Sequence, residues 1–401
     1  MKNSNQFDAT ASALGYIYQV RYGLLMGLKK IQEVDDPDNC LISIEKLDDI
    51  AFEESGSPTE LLQTKYHGTA GNITDRSSDL WKTIRVWAEM YSDAATDFES
   101  ITFTLITTEA TPDESIASML GVEQEKRNTN LALERMRSIS KETSNKDNSS
   151  GYDAFSSLDD RHQKSLVDSI YVIANSPSIL TVEEKIRKQV RLSVSSNFID
   201  AFITRLEGVW FKKNIEIMSV DDQYGLSLGE LASIVDDLRI QFLPGNLPSD
   251  FDDDMPDAID IENDGRAFVE QLRLINATDR VIRQAIINYY RAYEQRSRWS
   301  REGLVNPGEI KKYLNRLQDE WNNQASLLEM SGDLSAVSGK IAFGKNLYQV
   351  CQTQGSIAIR SEFKPAYVSR GTYHSLSDDL KIGWHPDFES LLESANDQGA
   401  A

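Results

Sequence analysis

With 401 residues the chain is long enough for two domains, each able to bury its own core. Its 40% apolar and 26% charged residues exclude a largely disordered chain and call for no disulfide or metal staple. The formal net charge of −21 excludes a surface that is basic throughout, so any DNA engagement must rest on local basic clusters or on assembly with other subunits.

The opening MKNSNQFDATASALGY lacks the basic-then-apolar order of a signal peptide, and no apolar run approaches a membrane span, which predicts a cytoplasmic protein. Residues 10–33 place Ala13, Tyr16, Ile17, Val20, Leu24 and Leu28 at spacings of three and four and predict an amphipathic helix. CLISIEKLDDIAFEE then reads as a β-rich run, SGSPTE as a turn and LLQTKYH as the returning strand of a hairpin. A second helix covers 78–92, with Trp81, Ile84, Trp87 and Ala88 on one face, and ITFTLITTEA is a further strand. From about 113 to 242 the pattern is almost wholly helical, broken at 140–151 by SKETSNKDNSSG, which reads as a flexible loop. LPGNLPSDFDDDMPD, rich in Pro and Asp and without periodicity, marks a domain boundary. The expected division is 1–245, an acidic linker over 246–262, and 263–401. Three helices are predicted over 266–330, the third starting at Asn306-Pro307, and the remaining residues mix helix with short extended pieces.

The residues with chemistry to offer lie in the hairpin. Side chains at even spacing on a strand share a face, so Gln63 and Lys65 point together, and Glu45 and Asp49 would do so if 45–49 were regular strand. Phosphodiester hydrolysis needs a divalent cation, oxygen ligands to hold it and a group to orient water. Asp49, the Gln63 side-chain oxygen and a carbonyl near Thr64 suit Mg2+ or Mn2+, Glu45 adds a second carboxylate, and Lys65 would stand by the water and the phosphate. On spacing alone the same residues fit a pair of turn aspartates, Asp48 and Asp49, beside a lysine snorkelling at a strand end.

A longer resemblance weights the first reading. ALGYIYQ, ISIEKLDDIAFE, LLQTKYH and SSDLWKTIRVW, in that order, resemble the Cap4-type (DUF4297-like) double-stranded DNA nucleases, a branch of the PD-(D/E)xK superfamily. The resemblance implies an α/β fold, a mixed sheet flanked by helices. It places the acidic ligand on Asp49 and the QxK pair on Gln63 and Lys65, with Glu45 and Gln19 in supporting positions. Gln63 stands where relatives carry Glu, which favours one metal over two. FITRLEGVWFKKNIE and LRIQFLPGNLP look like the helical extension of the same family, so the likeness covers about 1–245. From RAFVEQLRLI to IGWHPDF the chain resembles the mostly helical C-terminal docking domain of effectors in ABC three-component defence systems, Lamassu among them. That likeness implies partners, an SMC-like ABC ATPase and a small accessory subunit, and an effector that cuts invading DNA once released. A two-fold pair of sites would cut both strands, so self-association is expected on activation. Two rival readings are a catalytically inert adaptor on the same fold and a nuclease partnered by a HerA-like translocase.

Other candidates carry less. Lys185, Arg187, Lys188 and Arg191 recur at helical spacing and could line DNA, although a solvated face is the ordinary outcome. Arg291, Arg298 and Trp299, on a helix rich in Arg and Tyr, are candidates for partner docking. Tyr16 and Tyr18 are more often core or interface than base-stacking residues. His67 receives no catalytic role, and His385 fits a structural cap. Cys40 and Cys351 stand alone, which leaves no thiolate zinc site, and no phosphate loop or HExxH is present.

Overall fold

The structure, a computed structural model, describes residues 10–69, 71–91, 100–220, 225–331, 334–353 and 357–399. The chain divides into two compact units, Met1–Leu238 and Arg239–Ala401. No described helix is long and apolar enough to cross a membrane.

In the first unit α1 (Thr10–Lys30) leads into β1 (Cys40–Ile44), β2 (Ile50–Glu54) and β3 (Ser57–Lys65), an antiparallel meander. The sequence reading expected one hairpin with its turn over SGSPTE. The turn is instead only Ser55-Gly56, both at positive φ, the pairing that suits a two-residue turn to strand twist. Pro58 and Thr59 are therefore already in β3, while β1 and β2 fall on the two strand pieces expected at Leu41–Ile44 and Ile50–Phe52. There follow α2 (Ser78–Tyr91), β4 (Thr102–Thr107), α3 (Ile116–Met119), α4 (Thr129–Ile139), α5 (Ser149–Ser157), α6 (Asp160–Ser169), β5 (Ile170–Ile173), α7 (Val182–Val190), α8 (Ile199–Met218), β6 (Leu226–Ser227) and α9 (Leu228–Gln241). The sheet order is β5-β4-β3-β2-β1-β6, with β3, β4 and β5 parallel and the rest antiparallel.

Strand alternation sorts side chains to the two faces. Ala51, Leu61, Phe103, Leu105, Ile170 and Val172 meet Trp81, Ile84, Trp87 and Ala88 of α2 in one buried core. On the opposite face α1 lies over Ile42 and Ile44, and the Trp210 indole of α8 donates to the Val20 carbonyl at 2.7 Å. The buried stripe of α1 runs through Tyr18, Val20, Tyr22, Leu24, Leu25 and Leu28, whereas Ala13, Tyr16 and Ile17, expected inside, are exposed. The stretch read as almost wholly helical also contains the short strands β5 and β6. The supposed loop at 140–151 includes the start of α5, held by Asn148, whose amide donates to the Arg76 carbonyl at 2.9 Å.

The second unit contains α10 (Ala267–Leu274), α11 (Asp279–Arg301), α12 (Pro307–Ser331), α13 (Val337–Thr353), α14 (Ala366–Asp378) and α15 (Phe388–Gly399), the first three where the sequence placed them. Among its described residues there is no strand in the last seventy, against the expected extended pieces. The acidic segment read as a linker packs within this unit. Leu247 is buried, the Pro248 carbonyl accepts from Trp299 at 2.8 Å, and Asp250 N–H donates to Gln295 Oε1 at 2.6 Å. Prolines and aspartates remove its periodicity, but buried side chains of α11 satisfy its backbone, so irregularity here does not mean a free tether.

The core of this unit holds His374 fully buried, flanked by Phe268 and Tyr348, with both ring nitrogens lacking a hydrogen-bond partner. Burial pushes its pKa down to about 3 from 6.5. The unfolded chain takes up a proton as pH falls through 6.5 and the folded chain does not, so stability is full above that value and is lost as pH falls towards 3. The expected loss at pH 5 is about 2 kcal/mol. Replacing His374 by Phe should flatten the dependence. Urea midpoints at pH 7 and pH 5 check this, and an equal acid slope in both proteins would reject it.

Candidate active site

The sheet leaves a notch beside β3. Pairing between β2 and β3 runs only to Ile50↔Leu62, so residues 63–65 continue with β4 on one side and no strand on the other. The β1–β2 connection, residues 45–49, folds into that gap. It is not regular strand, the condition on which Glu45 and Asp49 would share a strand face. Glu45 sits at φ +56 and its N–H donates to the Asp49 carbonyl at 3.2 Å, which closes a compact loop.

Each acid of the loop takes a different place. Asp49 accepts from Thr64 N–H at 2.7 Å and Thr64 Oγ1 at 3.0 Å, so its carboxylate fills the ladder position that β2 leaves empty. Asp48, read from sequence only as a turn residue, is the buried one, 7% exposed. One oxygen accepts from the Trp87 indole at 2.9 Å and the other from the Gln63 amide. Burial, opposed by these two donors, still pushes its pKa up to about 6. Glu45 is also held above the usual carboxylate range, by burial first and then by the Asp49 charge, while a hydrogen bond from Gln19 and the Lys65 charge act the other way.

Gln63 and Lys65 do share a face. The Gln63 amide nitrogen points to both aspartates, 3.3 Å from Asp49 Oδ1, and its oxygen accepts from Lys65 Nζ at 2.8 Å. Glu45, Lys46, Leu47, Asp48, Asp49, Gln63 and Val86 line an open pocket of about 220 Å3. The structure thus brings Asp49, Gln63, Lys65, Glu45 and Gln19 together and adds Asp48. Its only sequence signal is a second acid beside Asp49.

Hard-oxygen donors crowd this pocket, as a divalent cation requires. Gln19 Oε1 is buried and has no donor. The Gln63 amide group stands between the two aspartates where a cation would neutralise them. Rotating that amide end for end presents Oε1 beside Asp49 Oδ1, so the residues present fit such an ion.

Lys185 and Lys188 on α7 and Arg191 at its C-terminal cap are exposed and none lines the pocket, while Arg187 is tied to Glu183 and Asp200 at 3.0 and 2.6 Å. Tyr18 is core, its ring tilted against Tyr66 and its hydroxyl donating to the Pro177 carbonyl. Of the docking candidates, Trp299 is fully buried. Arg298 is engaged by Glu302 at 3.0 Å and Asp250 at 3.5 Å, and Arg291 donates to the Asp254 carbonyl at 2.6 Å. The acidic segment therefore occupies the face that the sequence had offered to partners. His385 acts as a cap, its Nδ1 accepting from Asp387 N–H at 3.1 Å.

Residues 268–392, essentially α10 through α15, match the family model of C-terminal domain 7 of the ABC-three component (ABC-3C) systems. The match supports membership in such a multi-component system, with partner subunits. No curated protein matches the chain.

Proposed function

We propose that this chain is the metal-dependent DNA endonuclease of an ABC-three component defence assembly, with Asp49, Gln63, Lys65 and Glu45 as its site. The observation that carries the reading is the closure of residues 45–49 over the unpaired end of β3, which sets three carboxylates and an invertible amide around a single pocket, with Lys65 hydrogen-bonded to that amide. A bound Mg2+ or Mn2+ supplies charge stabilisation at the phosphoryl oxygens and a more acidic water. Asp49 Oδ1, Glu45 and Gln63 Oε1 would hold it, and Asp48 stays behind them, anchoring the loop to the Trp87 indole. With the Gln63 amide turned over, Lys65 loses its acceptor and its ammonium is freed to meet the scissile phosphate or the attacking water. The duplex must reach the pocket against a net charge of −21, which favours action inside an assembly with the SMC-like ATPase and accessory subunits, and self-association for two cuts.

The test is cleavage of supercoiled plasmid and linear duplex, by the chain alone at rising concentration and with its partner subunits, in Mg2+, in Mn2+ and in EDTA. Metal-dependent nicking or linearisation is expected. Failure to cut in every arm, including the full assembly with DNA, would favour the inert-adaptor reading.

A further inference from the structure

Three side chains beyond the ends of β3 and β4 belong to no part of that pocket. His67 follows β3, Asp79 lies in the first turn of α2, and Glu109 follows β4. One ligating atom from each lies within 4.8 Å of the others, and His67 Nε2 is 2.5 Å from Asp79 Oδ2. The backbone fixes the convergence. His67 N–H donates to Thr108 Oγ1 at 2.9 Å, and that hydroxyl donates back to the His67 carbonyl at 3.2 Å. Ala110 N–H donates to the Gly71 carbonyl at 3.0 Å, and the Glu109 carbonyl accepts from Asn175 N–H at 2.9 Å.

Two further observations point to a ligand. Among the described residues no Lys or Arg pairs with Asp79 or Glu109, so two carboxylates face one imidazole with no fixed cation to balance them. The Glu109 carboxylate also packs directly on Gly71, where an added Cβ would push Oε1 out of its present position.

We infer that His67, Asp79 and Glu109 hold a Zn2+ ion, separate from the hard-oxygen pocket at Asp49. One imidazole nitrogen with carboxylate oxygens suits zinc, whereas Mg2+ prefers oxygen ligands alone. The ion ties the segment leaving β3 to β4 and to the start of α2, so it fixes the chain immediately after Lys65. The assignment does not depend on nuclease activity.

Calorimetric titration of the full chain with ZnCl2, in millimolar Mg2+ to fill the other pocket, tests it. Wild type and Asp49→Ala should each take one saturable equivalent. Glu109→Gln, a near-isosteric change, and His67→Ala should weaken it at least about tenfold, as even the loss of a supporting partner does at metal sites. Gly71→Ala should weaken it too, by displacing the Glu109 carboxylate while every ligand remains. Absence of saturable binding by wild type, equal binding by wild type and the Glu109 and His67 variants, or a loss confined to Asp49→Ala would each overturn the assignment.

Discussion

Lys65→Ala is expected to lower metal-dependent DNA cleavage by about 10²- to 10³-fold, the usual cost of removing one positioned stabiliser of developing charge, and Asp49→Ala by at least as much. The two should fail differently. Among the described residues Lys65 donates to Gln63 Oε1 and to no carboxylate at hydrogen-bond range, so its loss should leave metal affinity nearly unchanged and depress turnover. Asp49 both faces the pocket and receives Thr64 N–H and Oγ1, so its loss should raise the metal concentration needed and loosen the 45–49 loop. Cleavage rates across a Mg2+ titration, with circular dichroism as the check on folding, separate the two. Variants that cut within about threefold of wild type would remove these residues from the chemistry.

Trp299→Ala is expected to cost about 3–5 kcal/mol of stability in the second unit, the range for deleting a fully buried indole. The ring is completely enclosed, meets Phe363 edge-on at 5.1 Å, and donates to the Pro248 carbonyl, so the change opens a cavity and unfastens the acidic segment together. Denaturant unfolding measures it. A midpoint unchanged from wild type would mean that Trp299 is not buried and would return it to the docking surface where the sequence first put it.

That misplacement is instructive about what the sequence carries. A row of arginines and aromatics along α11 has the composition of an interface, and composition does not reveal that Asp250, Asp254 and Pro248 fold back on it. Helices α10 to α12 were legible because their apolar spacing is long and Asn306-Pro307 punctuates the third. Strand β5 was not, since IYVI is four residues directly abutting a helix and gives no alternation long enough to count. Within the site, the shared face of Gln63 and Lys65 followed from strand parity. Spacing alone does not tell Asp48 from Asp49, because neighbouring loop acids are sorted by tertiary contacts: Trp87 claims one and Thr64 the other.

The Thr64 contact also limits how Asp49 can bind a cation. One of its oxygens is engaged by a backbone N–H that has no strand partner on that side, and drawing it away would leave an unpaired amide. On the proposed reading Asp49 would therefore favour monodentate ligation through Oδ1. A single-oxygen bite with few protein ligands suits a small octahedral ion that keeps its waters, and disfavours Ca2+, whose six to eight oxygens are commonly made up with bidentate carboxylates.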